Sequence, residues 1–144
     1  MQAEPPAKVT ASVRRIFGPA AEVRLVPVGA DRVLRVSRGD SLLGFAVVRN
    51  VRGKDQPITF LVATDTLDRL RDVDILVYRE PYGGEVAYDV WRKQFRGKST
   101  SDRLEVGRDI RSISGATISV HAVTTGVRRA LADLSAWHQS GAIK

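Results

Sequence analysis

Cysteine is absent from this sequence, and histidine is rare. The lack of cysteine excludes disulfides, thiolate metal ligands and a thiol nucleophile. It leaves the compartment open, because a chain without thiols suits either redox environment. The only histidines, His121 and His138, are too few for a histidine-based metal cluster. We therefore expect no bound metal and no thiol chemistry.

Long apolar runs are also missing. No stretch reaches the roughly 18 apolar residues of a candidate membrane span. Residues 1–8 lack the apolar centre of a signal peptide. The opening residues, 1–6, suit a start codon placed on a trimmed chain. The sequence alone thus predicts a globular domain with no membrane segment of its own.

Basic residues outnumber acidic ones and give a net charge of +7. They are spread along the whole chain, and the densest groups are pairs such as Arg14-Arg15 and Arg128-Arg129. A solvated basic surface is the ordinary interpretation. The chain lacks an aromatic-basic strand motif and a recognition helix, so a nucleic-acid-binding domain is the last-ranked hypothesis and no nucleic-acid partner is expected.

Hydrophobic periodicity predicts an α+β fold with a largely antiparallel, twisted sheet and flanking helices. Residues 1–40 are expected to form an N-terminal helix and first strands, 41–138 the main domain and 139–144 a tail. Apolar residues recur at helical spacing in three segments and alternate or run together in the strands. The predicted helices are Lys8–Phe17, Val86–Phe95 and Ser119–Trp137; the predicted strands are Val23–Val28, Arg32–Ser37, Leu42–Asn50, Pro57–Ala63 and Asp74–Arg79.

Several conspicuous side chains are interpreted as structural. Trp91 and Phe95 lie on an apolar helical face, so we expect them in the core. Four aspartates form an acidic stretch without the spacing of a calcium loop and are expected in a solvated loop. These are Asp65, Asp68, Asp72 and Asp74.

The motif that carries chemistry is Ser114-Gly115-Ala116-Thr117, just before the longest predicted helix. The first turn of a helix leaves backbone N–H groups unpaired and favours a phosphate. Gly115 and Ala116 leave room for a bulky phosphorylated ligand to approach the backbone. Thr117 supplies a hydroxyl at the helix start, and Ser114 a second one as donor or cap. Taken alone, these four residues also suit an ordinary tight turn with an N-cap.

The longer segment from Arg111 to Ser119 resembles the flavinylation motif of the FMN-binding domain family. That family includes the C subunit of the sodium-pumping NADH:quinone oxidoreductase and the G subunit of the Rnf complex. In those proteins the Thr of Ser-Gly-Ala-Thr accepts FMN through a phosphoester bond, made from FAD by a Mg-dependent flavin transferase. The resemblance implies covalent FMN on Thr117.

The resemblance extends over residues 41–134. The loop of residues 80–85 lies where the family has a glycine-rich loop beside the flavin, and residues 94–98 resemble its Phe-x-Gly-Lys stretch. Beside Thr117, Ser114, Gly115 and Ala116, the cofactor-binding residues that we expect are Glu80, Tyr82, Gly83, Gly84 and Lys98. Tyr82 suits stacking on the isoalloxazine ring and equally suits an exposed loop position.

Two departures from the family pattern stand out. Arg111 occupies a position where the family usually has Asp, and Asp109 lies two residues earlier. The glycine-rich loop is altered to Pro81-Tyr82-Gly83-Gly84. His121, in the first turn of the last helix, suits a surface position better than a proton relay.

The resemblance implies a flavoprotein electron carrier rather than a stand-alone enzyme. Its expected partners are the flavin transferase and the redox proteins of a membrane electron-transport chain. The expected location is the periplasmic or extracellular face of a bacterial membrane. The alternative is a module of the same fold that binds FMN non-covalently or serves a structural role.

Overall fold

A single antiparallel sheet organises the molecule, whose computed structural model describes residues 4–144. The proposed start at Met1 lies outside those residues. The sheet has five strands in the order β1-β2-β3-β4-β5, so each strand pairs with its neighbour in sequence. The α+β prediction with a largely antiparallel sheet is confirmed. The strands are β1 Glu22–Val28, β2 Asp31–Arg38, β3 Ser41–Arg52, β4 Pro57–Asp65 and β5 Leu70–Val77.

Both faces of the sheet are buried, as the alternation in β4 predicts. Phe60 and Val62 face one apolar cluster, while Leu61 and Ala63 face another. Successive side chains of a strand point to opposite faces, so one strand supplies both cores. The first core packs under a helix at the C-terminal end of the chain and the second under a helix at its start.

The C-terminal helix, α3, spans Thr117–Ser140 and starts two residues before the predicted boundary. Its buried stripe includes Val120, Val127 and Leu134. Gly141, with φ 82°, ends it in the left-handed conformation that favours glycine. None of the described helices is both long and apolar enough to cross a bilayer.

The N-terminal helix, α1 (Ala7–Phe17), is fastened to β5 through a buried carboxylate. Ser12 Oγ donates a 2.6 Å hydrogen bond to Asp74, and Arg15 pairs with the same carboxylate. The expectation of a solvated loop is wrong for Asp65, the last residue of β4. It is also wrong for Asp72 and Asp74, which lie in β5, although the predicted strand Asp74–Arg79 correctly included Asp74. Their composition suggested a loop, whereas partners distant in sequence make a strand position tolerable for these carboxylates.

The segment after the sheet is not the continuous helix that its spacing predicts. A 3₁₀ turn (Gly84–Ala87) is followed by a one-turn helix, α2 (Asp89–Arg92), and a second 3₁₀ turn (Lys93–Phe95). Extended backbone at Tyr88 (φ −75°, ψ 139°) separates the first turn from α2. The core positions of Trp91 and Phe95 are nevertheless confirmed, with their ring centroids 5.2 Å apart.

Gly126, the glycine of α3, lies where the helix packs closely against the sheet. A Cβ there would lie 2.6 Å from both Phe60 Cζ and Val51 Cγ1. Replacing a helical glycine by alanine normally gains about 1 kcal/mol, but overpacking a filled core costs about 1–3 kcal/mol. We predict that Gly126→Ala lowers the free energy of unfolding by about 1 kcal/mol in urea titrations.

Ala136→Ser is the matched control, because it adds one heavy atom on the exposed face of the same helix. Its effect should stay within about 0.5 kcal/mol. A Gly126→Ala protein more stable than the unmodified chain would contradict the close packing.

Candidate functional site

Thr117 is the first residue of α3, and its side chain is exposed. Ala116 is the N-cap residue, and no side chain caps the helix. Ser114 is therefore not the cap, and one of its two predicted roles is wrong. Gly115, with φ 81°, turns the chain before the helix, and Ala116 N–H donates to Ile113 O within this turn. The first-turn amides of α3 are left for another acceptor.

A cavity of about 430 Å³ opens directly against this helix start. It brings together three segments that are far apart in sequence. Of the predicted cofactor-binding residues, Glu80, Tyr82, Gly83, Gly115, Ala116 and Thr117 line it. Lys54, Asp55, Pro81, Ile118 and Ser119 complete the lining.

Three predicted residues lie outside the lining. Ser114 is exposed in the turn before α3, and Gly84 lies behind Gly83 against the Tyr78 ring. Lys98 directs its ammonium at its own segment, donating a 2.8 Å hydrogen bond to Gln94 O. His121 is exposed one helical turn beyond Thr117, in the surface position that suited it.

A hydroxyl contact joins the loop of the cavity to the helix. Tyr78 donates its proton to Tyr82 O, and its oxygen lies 2.7 Å from Ser119 Oγ. Because the tyrosine proton is already used, Ser119 is the donor in the second bond. Gly83 sits in the corner with φ 85°, and a Cβ there would lie 2.8 Å from Ser119 Oγ. Only glycine fits between these two hydroxyls.

Glu80 holds the opposite wall. Its carboxylate accepts hydrogen bonds from the backbone of Asp55 (2.5 Å) and Gln56 (2.7 Å), in the turn between β3 and β4. Those bonds, with smaller contributions from the Lys54 and Arg52 charges, hold the pKa of Glu80 below its usual range. Glu80 thus positions the turn that carries Lys54 and Asp55.

The charges of the cavity wall are mixed. Lys54 is the one cation among the described lining residues, against the carboxylates of Asp55 and Glu80. Two apolar side chains stand open to solvent at the same wall: Tyr82 is 82% exposed and Ile118 52%. An anionic group is therefore best placed at the amides of α3, and a flat apolar group beside Tyr82 and Ile118.

Arg111, one of the two departures from the family pattern, and the nearby Asp109 both lie in the loop before α3. Arg111 is exposed, and its backbone accepts from Trp91 Nε1 (2.7 Å) and donates to Gln94 Oε1 (2.7 Å). Burial tends to raise the pKa of Asp109, but hydrogen bonds from the backbone of Glu105 and Leu104 lower it overall. Asp109 thus serves to hold its own loop.

Sequence reasoning missed Lys54, Asp55 and the Tyr78–Ser119 contact. Residues 52–56 have the polar, glycine-containing composition of a turn, but nothing local indicates that this turn faces the start of α3. Tyr78 falls in the predicted strand Asp74–Arg79 and directly follows β5, so nothing in the sequence distinguishes it from a strand residue. Only the pairing of β3, β4 and β5 brings these groups to one end of the sheet.

The sequence pattern of the FMN-binding domain family matches residues 53–132. This match covers more than half of the chain, from the Lys54 turn through most of α3, and the chain belongs to that family. No curated protein matches the chain. The molecule is accordingly an FMN-binding module, as the sequence resemblance predicted.

The residues present fit FMN. The cavity volume lies within the roughly 300–1,000 Å³ of small-molecule sites. The uncapped start of α3 suits the phosphate, and Tyr82 and Ile118 offer apolar surface for the ring. When bound, FMN supplies the redox chemistry, and the chain supplies binding and orientation.

The Glu80 contact predicts a pH-dependent turn. Because the pKa of Glu80 is lowered in the folded chain, the stabilisation is present above the ordinary pKa of 4.5 and is lost as the pH falls through the folded value. We expect the amide protons of Asp55 and Gln56 to exchange slowly at neutral pH and to lose protection in acid. Hydrogen exchange followed by NMR measures this.

Glu80→Ala should remove most of that protection already at pH 7, because it deletes the accepting oxygen. Glu85→Ala, the same truncation in the neighbouring 3₁₀ turn, is the control and should leave the two amides protected. Equal exchange in both variants would show that Glu80 does not hold the turn.

Proposed function

We propose that Thr117 carries FMN through a phosphoester bond and that the loaded domain transfers electrons on the extracytoplasmic side of a bacterial membrane. The observation that supports it best is the place of Thr117. Its exposed hydroxyl begins a helix with unsatisfied amides and lines the wall of a cavity suited to FMN. A threonine buried in the core would have spoken against this proposal.

Loading would follow ordinary group transfer from FAD. Thr117 Oγ1 attacks the phosphorus on the riboflavin side of FAD, so an O–P bond forms and the phosphoanhydride bond breaks. AMP leaves, the hydroxyl proton passes to solvent or to a base of the transferase, and no electrons are exchanged. The amides of α3 then lie beside the esterified phosphate and favour its negative charge.

The charges of the cavity support a tether rather than free exchange of FMN. One lysine faces two carboxylates, and the cavity opens to solvent beside exposed Tyr82. A phosphate held by amides and one cation alone would dissociate readily. A covalent bond removes that loss, which matters most outside the cytoplasm, where the cofactor pool is dilute.

An electron carrier needs an accessible ring more than it needs a closed active site. The open cavity and the exposed rim at Tyr82 and Ile118 suit exchange with protein partners. The redox proteins of a membrane chain are the partners that we propose, together with a Mg-dependent flavin transferase for loading.

The decisive experiment is loading by coexpression with a flavin transferase. After denaturation and gel filtration, the unmodified chain should stay yellow, with a mass increased by one FMN less one water. Thr117→Ala should be colourless, and Thr117→Ser should retain loading because it keeps the hydroxyl. Ser114→Ala is the control, since Ser114 lies outside the cavity lining.

If all four proteins lose flavin on denaturation but bind it when folded, attachment is non-covalent. If none binds FMN in either state, the cavity serves another ligand.

The departure at Arg111 gives a separate prediction. Its side chain is exposed and its backbone supplies the local hydrogen bonds, so substitution should not disturb the fold. Restoring the family residue with Arg111→Asp should raise the initial rate of flavin transfer severalfold in a time course followed by mass. Arg108→Asp, an exposed position in the same loop, controls for the charge change. Equal rates in Arg111→Asp and the unmodified chain would show that the transferase does not read this position.

A further inference from the structure

A second groove, of about 490 Å³, lies beside the cofactor cavity. Its walls are the end of β3 and one face of α3, with Arg52, His121, Thr125 and Arg129 among the lining residues. Within the described part of the chain, none of its lining residues is a carboxylate. The cofactor cavity and this groove therefore differ in charge, the first mixed and the second basic.

Helical geometry makes the groove continuous with the loading position. Thr117, His121, Thr125 and Arg129 are spaced four residues apart in α3, so they form one ridge along the helix. Four residues rise about 6 Å, so the groove begins roughly one turn from Thr117. On the strand side, Arg52 is two residues from Lys54 in the cavity wall.

The two arginines of the groove present their guanidinium groups to solvent. Arg52 and Arg129 are exposed, and neither forms an ion pair within residues 4–144. Arg49, three residues before Arg52, shows the usual alternative, since it pairs with Asp31 and Asp133. Free guanidinium groups at a concave surface are well suited to receive carboxylates from outside.

We infer that this groove is the docking surface for an acidic redox partner protein, which places carboxylates on Arg52 and Arg129 while its redox centre approaches the cofactor at Thr117. The inference rests on the proposed electron-carrier function. It adds the chemistry of the partner and the face on which that partner approaches.

The number of charges favours a protein over a membrane surface. Each basic residue near an anionic bilayer contributes about 1 kcal/mol, so two arginines contribute too little for stable attachment. Transient redox encounters use small interfaces, and electrostatic steering raises their association rates by about 10–1,000-fold. The electrostatic field of two arginines beside the cofactor cavity is sufficient for such a transient encounter.

Stopped-flow electron transfer tests the inference with two haem proteins of opposite charge. The FMN-loaded, reduced domain is mixed with acidic cytochrome b5 or basic cytochrome c. Cytochrome b5 should react at a rate that falls as salt is added, because its carboxylates meet Arg52 and Arg129. Arg52→Gln/Arg129→Gln should slow that reaction about three- to tenfold at low salt and little at high salt.

Arg24→Gln/Arg38→Gln is the matched control, with the same charge change at an exposed residue of edge strand β1 and at the exposed last residue of β2. It should slow cytochrome b5 less than twofold at low salt, an estimate that follows from screening over distance. Equal slowing in both double variants, or a rate with cytochrome c that falls with salt while that with cytochrome b5 does not, would overturn the inference.

A second measurement needs no cofactor, so it separates this inference from failure of loading. Cytochrome b5 is titrated into the isotope-labelled, unmodified chain and followed by NMR. Shifts should concentrate at Arg52, His121, Thr125 and Arg129 and vanish in the groove variant. Shifts confined to other surfaces, or stronger retention on phosphatidylserine vesicles than on cytochrome b5 at physiological salt, would contradict an acidic protein as the occupant.

Discussion

The contact of Tyr78 with Tyr82 and Ser119 is the constraint on which the cavity at the start of α3 depends. It fixes the loop after β5 against the first turn of α3. Glycine is the one residue type that leaves space for this contact at position 83. Without this contact, the loop that carries Glu80 and Tyr82 would lose its register relative to Thr117. The shape of the cavity therefore depends on the hydroxyl groups of Tyr78 and Ser119 and on glycine at position 83.

Much of this architecture could be predicted from the sequence, because it depends on local patterns. Alternation in β4 and the apolar stripe of α3 are strong periodic signals, and both are confirmed. Val86–Phe95 was predicted wrongly since helical spacing also fits a chain of short turns, with extended Tyr88 between two of them. The burial of the Asp74 carboxylate was not predicted, because its partners, Ser12 and Arg15, are distant in sequence. The motif alone singled out Thr117, which lines the cavity, whereas finding Lys54 there required knowledge of which turns meet.

Charge is distributed unevenly in a way that the net value of +7 conceals. Among the described residues, the cavity lining holds one lysine and two carboxylates, and two arginines without ion pairs, Arg52 and Arg129, lie in the groove alongside. These arginines thus lie beside the cavity rather than in its wall. A ring held beside Asp55 and Glu80 would accept extra negative charge less readily than one held among arginines.

The cavity wall is assembled from residues 54–55, 80–83 and 115–119, which no local segment can reproduce. An unfolded chain presents Ser-Gly-Ala-Thr without the loop and turn that surround it. If a transferase reads the assembled surface, it labels only copies that have completed their sheet. Covalently attached FMN would then mark the copies that have folded, and the flavin content of a sample would report the fraction of folded molecules.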